Sequence, residues 1–150
     1  MPNDYIPVSL TRLVVDRASA CCEYCRSQSR FSTQSFSVEH ISPRYIGGPT
    51  VESNLALACQ GCNSHKGIKT AERDPATGFP APLFNPRDEL WSDHFAWSGD
   101  YTRVQGTTPT GRATVAALKL NREGLVNLRR VLYAMGEHPP AEPETVKADE

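Results

Sequence analysis

Two Cys-x-x-Cys pairs, Cys22/Cys25 and Cys59/Cys62, constrain this chain more than anything else in its 150 residues. One such turn delivers two sulfurs to a tetrahedral metal with little strain, and two turns complete a closed four-thiolate shell of the kind zinc prefers. Four thiolates leave no open position for water. The expected zinc is therefore structural, stapling segments too short to hold a core of their own. The alternative is four reduced, buried cysteines without a metal. The pairs are separated by 33 residues, 26–58, more than a short zinc ribbon needs, so a functional insert is expected between them. Cys21 is the spare. An odd cysteine count, and a start (Met1-Pro-Asn-Asp-Tyr) without the basic and apolar regions of a signal peptide, argue against a disulfide framework. The expected setting is reducing and cytoplasmic.

The net charge of −1 hides an uneven distribution. Residues 101–136 carry six basic groups against one acid, Glu123, whereas residues 137–150 carry one basic group and five acids. Phosphate binding responds to local charge density, so the basic segment matters more than the total. Hydrophobic residues make up 39%, which suits a globular chain, and no apolar run approaches bilayer length, so no membrane association is expected.

The chain reads as α+β. Ser9 can cap a helix to about Ala20, with Leu10, Leu13, Val14 and Ala18 on one face. Residues 36–41 and 55–58 are short strand candidates. Pro43, Gly47, Gly48 and Pro49 mark an irregular loop between them. A short helix is expected from Cys62 to about Thr70, then an extended, proline-rich stretch over 74–90. Trp91 to Trp97 is aromatic and expected to pack on the core. Helices are expected over 110–120 and after Asn121, the second with a Leu125, Leu128, Leu132 stripe and Gly136 as its stop. The expected organisation is one domain over 1–137, with a core at 20–70 and a helical extension at 105–136. A disordered acidic tail is expected at 138–150.

Between and beside the knuckles stand Val38-Glu39-His40-Ile41-Ser42-Pro43, then Gly47-Gly48, Asn54-Leu55 and Cys59-Gln-Gly-Cys62-Asn63-Ser-His-Lys66. This order resembles the HNH endonuclease family, closely over about residues 20–70, and the small stand-alone bacterial type more loosely out to Arg130. The resemblance implies a ββα-metal core stapled by the four-cysteine site, flanked here by an N-terminal helix and C-terminal helices. It implies hydrolysis of DNA phosphodiester bonds with a divalent cation. By family position His40 is the general base, Glu39 and Asn63 hold Mg²⁺ or Mn²⁺, and Asn54 fixes the loop or orients the His40 ring. The residue types suit that chemistry. An imidazole with an unperturbed pKa of about 6.5 can take a proton from water near neutral pH. Carboxylate and amide oxygens suit a hard cation that keeps several waters.

Each residue also has a plainer reading. Successive strand side chains point to opposite faces, so Glu39 and His40 share a site only if the strand ends or bulges there. Asn54 can be a turn residue and Asn63 a helix cap. The acid is Glu39 where Asp is usual in the family, and the third letter is Asn63 rather than His. His65 is the fallback cation ligand. His94 and His138, without a supporting constellation, read as structural or surface residues. Arg44 and Lys66, nearest the expected site, together with Arg112, Arg122, Arg129 and Arg130, are the candidate DNA phosphate contacts. The competing reading of the last four is an ordinary solvated helix face. RNA is an alternative substrate, and a homodimer or a specificity partner would supply what one catalytic centre lacks. The competing class is a catalytically silent zinc module that binds nucleic acid or protein.

Overall fold

The computed structural model describes residues 5–142. Helix α1 (Val8–Arg17) starts behind Pro7 and ends where Ser19 and Ala20 take left-handed backbone, φ 52° and 56°. Its buried face is Val14 with Ala18, against Leu55 and Leu57. Leu10 and Val15 flank that contact, while Leu13, expected on the same face, is exposed.

Strands β1 (Ser37–His40) and β2 (Leu55–Ala58) pair antiparallel from Ser37↔Ala58 to His40↔Leu55. All four residues of β2 are buried. Leu55 and Leu57 face α1, and Ala56 and Ala58 face the main core with Phe84 and Trp91. That two-sided burial explains an unbroken Leu-Ala-Leu-Ala run in place of polar alternation. Helix α2 (Gln60–Lys66) follows β2 at once, starting two residues earlier than expected. The Cys59 sulfur caps it by accepting from the Cys62 amide, and Gly67 at φ 51° ends it.

The stretch expected to be extended begins in a hairpin, β3 (Ala71–Arg73) with β4 (Pro80–Pro82). Asp74, fully buried, closes it by accepting from the Ala76 amide and the Thr77 hydroxyl. The aromatic stretch supplies Trp91 and strand β5 (Phe95–Trp97), which pairs with β6 (Val104–Gly106). Phe84, Trp91 and Phe95 pack edge-on or tilted, at centroid separations of 5.0–5.3 Å. Helix α3 (Pro109–Leu118) is capped by Thr108, whose hydroxyl accepts from Gly111 N–H. It lies so close to β6 that a Cβ on Gly106 would sit 2.4 Å from the Arg112 nitrogen.

Helix α4 (Glu123–Ala134) is not capped by Asn121. The Asn121 amide instead accepts from Val104 N–H and donates to Val104 C=O, at 2.7 and 2.9 Å, taking the place of a strand partner for β6. Of the tail expected from residue 138, the part 143–150 lies outside the described residues. Residues 138–142 are described and begin against the body. His138 is buried, its ring edge-on to Trp97 and its Nε2 2.9 Å from Tyr101 O.

Candidate functional site

The cysteine pairs come from two unrelated pieces of chain. Cys22 and Cys25 sit in the turn after α1, and Cys59 and Cys62 at the β2–α2 junction. All four sulfurs are buried and lie within 4.8 Å of one another, placed to bind one metal ion. Zinc fits on geometry, because about 2.3 Å bonds set tetrahedral S···S edges near 3.8 Å, and Cys25 and Cys59 are 3.6 Å apart. The Cys25 and Cys62 amides donate to the Cys22 and Cys59 sulfurs, each at 3.4 Å. Arg122 Nη2 lies 3.7 Å from the sulfurs of both Cys59 and Cys62. Its seat depends on Gly61, where a Cβ would meet Nη2 at 2.6 Å. Four thiolates around a divalent ion leave two net negative charges, and Arg122 offsets part of them. Burial loosens the Arg122 proton, but the thiolates, Cys62 foremost, more than compensate and its pKa rises.

His40 closes β1. Its Nε2 lies 2.8 Å from Thr50 Oγ1, and Arg44 donates to the same hydroxyl at 3.1 Å. The loop between β1 and β2 is pinned by Asn54, whose amide oxygen accepts from Ser42 N–H at 2.8 Å. Its amide nitrogen donates to Ser42 O and Pro49 O at 3.0 and 2.9 Å. Asn54 therefore fixes the loop, and Thr50 holds the His40 ring. Gly48 packs against the loop's own backbone, where a Cβ would fall 1.8 Å from Ser42 O. Thr50 went unmarked in the sequence, since nothing in its type or spacing sets it apart.

Glu39 does not share a site with His40. Strand β1 keeps its register through His40 with no bulge, so the two side chains leave opposite faces. The Glu39 carboxylate turns inward, where the Tyr24 hydroxyl donates to Oε2 and Lys66 Nζ stands 3.0 Å from Oε1. Burial raises its pKa, opposed by the Lys66 charge and the Tyr24 hydrogen bond. Burial, and then the Glu39 charge, push the Tyr24 phenol well above its ordinary range.

Asn63 is half-buried on α2, and its side chain makes no hydrogen bond among the described residues. It does not cap α2, a position Cys59 holds. His65 lies in the last turn of α2, with its pKa lowered by desolvation and by Arg122 and Lys119 nearby. The expected pair of cation ligands thus divides. Asn63 offers an unengaged amide oxygen, but both Glu39 oxygens are taken inside the protein. The two do not present a cation site as folded.

Residues 22–69 match the HNH endonuclease family. The HNH segment contains both cysteine pairs, His40, the Asn54-pinned loop and Asn63. No curated protein and no solved structure matches the chain.

Outside the HNH segment, most of the expected phosphate contacts are engaged by other groups of the protein. Arg129 is 3% exposed and donates to the carbonyls of Cys25, Thr102 and Leu120. Arg112 grips buried Asp74 through two bonds of 2.9 Å, and this pairing draws the Asp74 pKa down to about 2. Arg122 serves the thiolates. Within the segment, Lys66 is 2% exposed and committed to Glu39 and the Ile41 carbonyl. Arg44 stays half-exposed beside His40, and Arg130 is exposed and donates to Asn127. The engagement of Arg112, Arg122, Arg129 and Lys66 inside the protein has one reason. Basic residues in a run register as surface charge, whereas here their planar guanidinium groups satisfy buried carbonyls, a carboxylate and thiolates. His94 bridges Thr108 and Glu89, at 2.6 and 3.1 Å.

Proposed function

We propose that this chain is a nuclease that hydrolyses DNA phosphodiester bonds with His40 as general base, over a structural zinc held by Cys22, Cys25, Cys59 and Cys62. The observation that carries the reading is the His40 ring. It is fixed by Thr50 at the end of a regular strand and leads into a loop that Asn54 makes rigid. A water oxygen attacks phosphorus while His40 takes the water's proton. The P–O ester bond opposite the attack breaks, and the leaving oxygen is protonated from solvent. Arg44, half-exposed and on the same Thr50 hydroxyl, is placed to neutralise the phosphate. A bound Mg²⁺ or Mn²⁺ would supply Lewis-acid stabilisation of phosphate and leaving oxygen. Asn63 would hold such a cation through its amide oxygen, whereas Glu39 is engaged by Lys66 and Tyr24.

Supercoiled plasmid incubated with the protein and Mg²⁺ or Mn²⁺ should be nicked, and His40→Ala should stop it. Cleavage that survives His40→Ala, or no cleavage with either metal on DNA or RNA, overturns the reading. One catalytic centre per chain is expected to nick, with linear product requiring a second copy. The enclosed Glu39 favours a second reading, a silent zinc module that binds nucleic acid without cutting it; binding without cleavage would identify it. No helix among the described residues is long and apolar enough to cross a membrane. A reducing compartment such as the cytoplasm would keep the thiolates available for zinc.

A further inference from the structure

A histidine base needs a bare ring nitrogen, and the hydrogen bonds around the ring decide which nitrogen that is. On His40, Nε2 is taken by Thr50 Oγ1 at 2.8 Å. The proton of an attacking water must therefore go to Nδ1. In a neutral ring Nδ1 is bare only when the ring proton sits on Nε2 and is donated to Thr50.

Arg44 works against that arrangement. A hydroxyl has one proton to give and two lone pairs to receive. Arg44 Nη1, which can only donate, holds one lone pair of Thr50 Oγ1 at 3.1 Å. If the Nε2 proton held the other, the hydroxyl proton would have no acceptor among the described residues. If the hydroxyl donates to Nε2 instead, both of its contacts are satisfied and the ring proton sits on Nδ1. A cation on the oxygen also makes the hydroxyl a stronger donor and a weaker acceptor, because linked hydrogen bonds polarise one another. Arg44 on Thr50 thus favours the Nδ1–H ring, which has no lone pair to receive a water's proton.

The substrate can lift Arg44 away. The backbone around it is fixed, since Gly47 at φ 91° ends the 3-10 turn Arg44–Ile46 and Asn54 ties Ser42 to Pro49. Arg44 itself is half-exposed. A guanidinium–phosphate pair is charge-assisted and about twice as strong as a bond to a neutral hydroxyl. A phosphate at this edge draws the side chain off Thr50 and leaves the loop in place. Thr50 then has a lone pair for the Nε2 proton. The ring changes tautomer by losing the Nδ1 proton to solvent and gaining one from solvent at Nε2.

We propose that Arg44 and Thr50 form a latch that keeps His40 unarmed until a DNA phosphate engages Arg44. Thr50 is the positioning residue and Arg44 the sensor. The inference rests on the nuclease reading and adds regulation by the substrate to it.

Long-range proton–nitrogen NMR of full-length protein carrying isotope-labelled histidine reads the tautomer. The measurement is made at about pH 8, above histidine's ordinary pKa of about 6.5, without added divalent cation. The His40 signals are those lost in His40→Ala. The free protein should carry its His40 proton on Nδ1, and a saturating short DNA duplex should move it to Nε2. Arg44→Ala should rest with the proton on Nε2 before any DNA is added. Thr50→Ser should switch as the parent does, whereas Thr50→Val should not respond to the duplex. Zinc content per chain checks that each variant is folded. A free protein already protonated on Nε2, a parent ring unmoved by the duplex, or an Arg44→Ala ring still protonated on Nδ1 overturns the latch. An unmoved ring together with plasmid nicking that needs His40 refutes the latch alone. A ring that switches in a protein that never nicks plasmid leaves the hydrogen-bond exchange standing and overturns the nuclease reading.

Discussion

At the scale of single residues, the buried Glu39–Lys66 pair sets the sharpest expectations. Removing one partner of such a pair strands a charge and costs about 3–5 kcal/mol, whereas replacing both with neutral groups of similar size is close to neutral. Lys66→Met should therefore lower the urea midpoint strongly, and Glu39→Gln added to it should restore much of the loss. The pH dependence has a definite sign. Burial already raises the Glu39 pKa, and losing Lys66 raises it further. A carboxyl with a raised folded pKa binds more protons in the native state, so stability falls as pH rises through that pKa. The Lys66→Met deficit should shrink as the pH is lowered toward the ordinary carboxylate range. Asp74 behaves oppositely. Arg112 draws its pKa down to about 2, so the stability it contributes is present above its unfolded pKa and is lost as pH falls from about 4 toward 2. Asp74→Asn should flatten acid unfolding in that window, followed by circular dichroism.

At the scale of elements, the second cysteine knuckle and the start of α4 form one unit through Gly61 and Arg122. Gly61→Ala pushes the guanidinium off its seat and leaves two thiolates less compensated. Zinc release to a chromogenic chelator should be about tenfold faster or more, the scale of losing a partner that supports the metal ligands. A rate equal to the parent's would mean that Arg122 packs there without supporting the metal. This unit also shows what a sequence displays and what it conceals. The cysteine spacing, the positions of both strands and the His40 loop are legible because each is encoded locally, in a motif or a hydrophobic run. The destination of Arg122 is not, because it depends on α4 folding back onto a knuckle 60 residues away. The orientation of Glu39 was half legible. Strand alternation already set it against His40, but only the uninterrupted register of β1 decides between alternation and a bulge.

At the scale of the whole molecule, the HNH segment is not self-sufficient. Its core continues into Phe84, Trp91, Phe95, Leu118 and Leu120. Arg87 pairs with buried Glu23, whose other oxygen accepts from the Leu57 amide at 2.9 Å. A fragment covering residues 20–70 should therefore fail to give dispersed amide resonances even with zinc supplied, whereas residues 5–142 should. The charge reading changes at this scale too, since Arg112, Arg122 and Arg129 are engaged by Asp74, the thiolates and backbone carbonyls, and Arg103, Lys119 and Arg130 stay exposed. The salt dependence of DNA binding should thus reflect few phosphate contacts. Arg129 adds a consequence in time. One guanidinium closes the carbonyls of Cys25, Thr102 and Leu120, the first of them 104 residues upstream. Chains emerge from the ribosome N-terminus first. The cysteine turn at 22–25 is thus made early and completed only once Arg129 has been made, and a nascent chain stopped before Arg129 carries the whole HNH motif around a core with its carbonyls still open. Synthesis itself delays closure of the cysteine turn until α4 has been made.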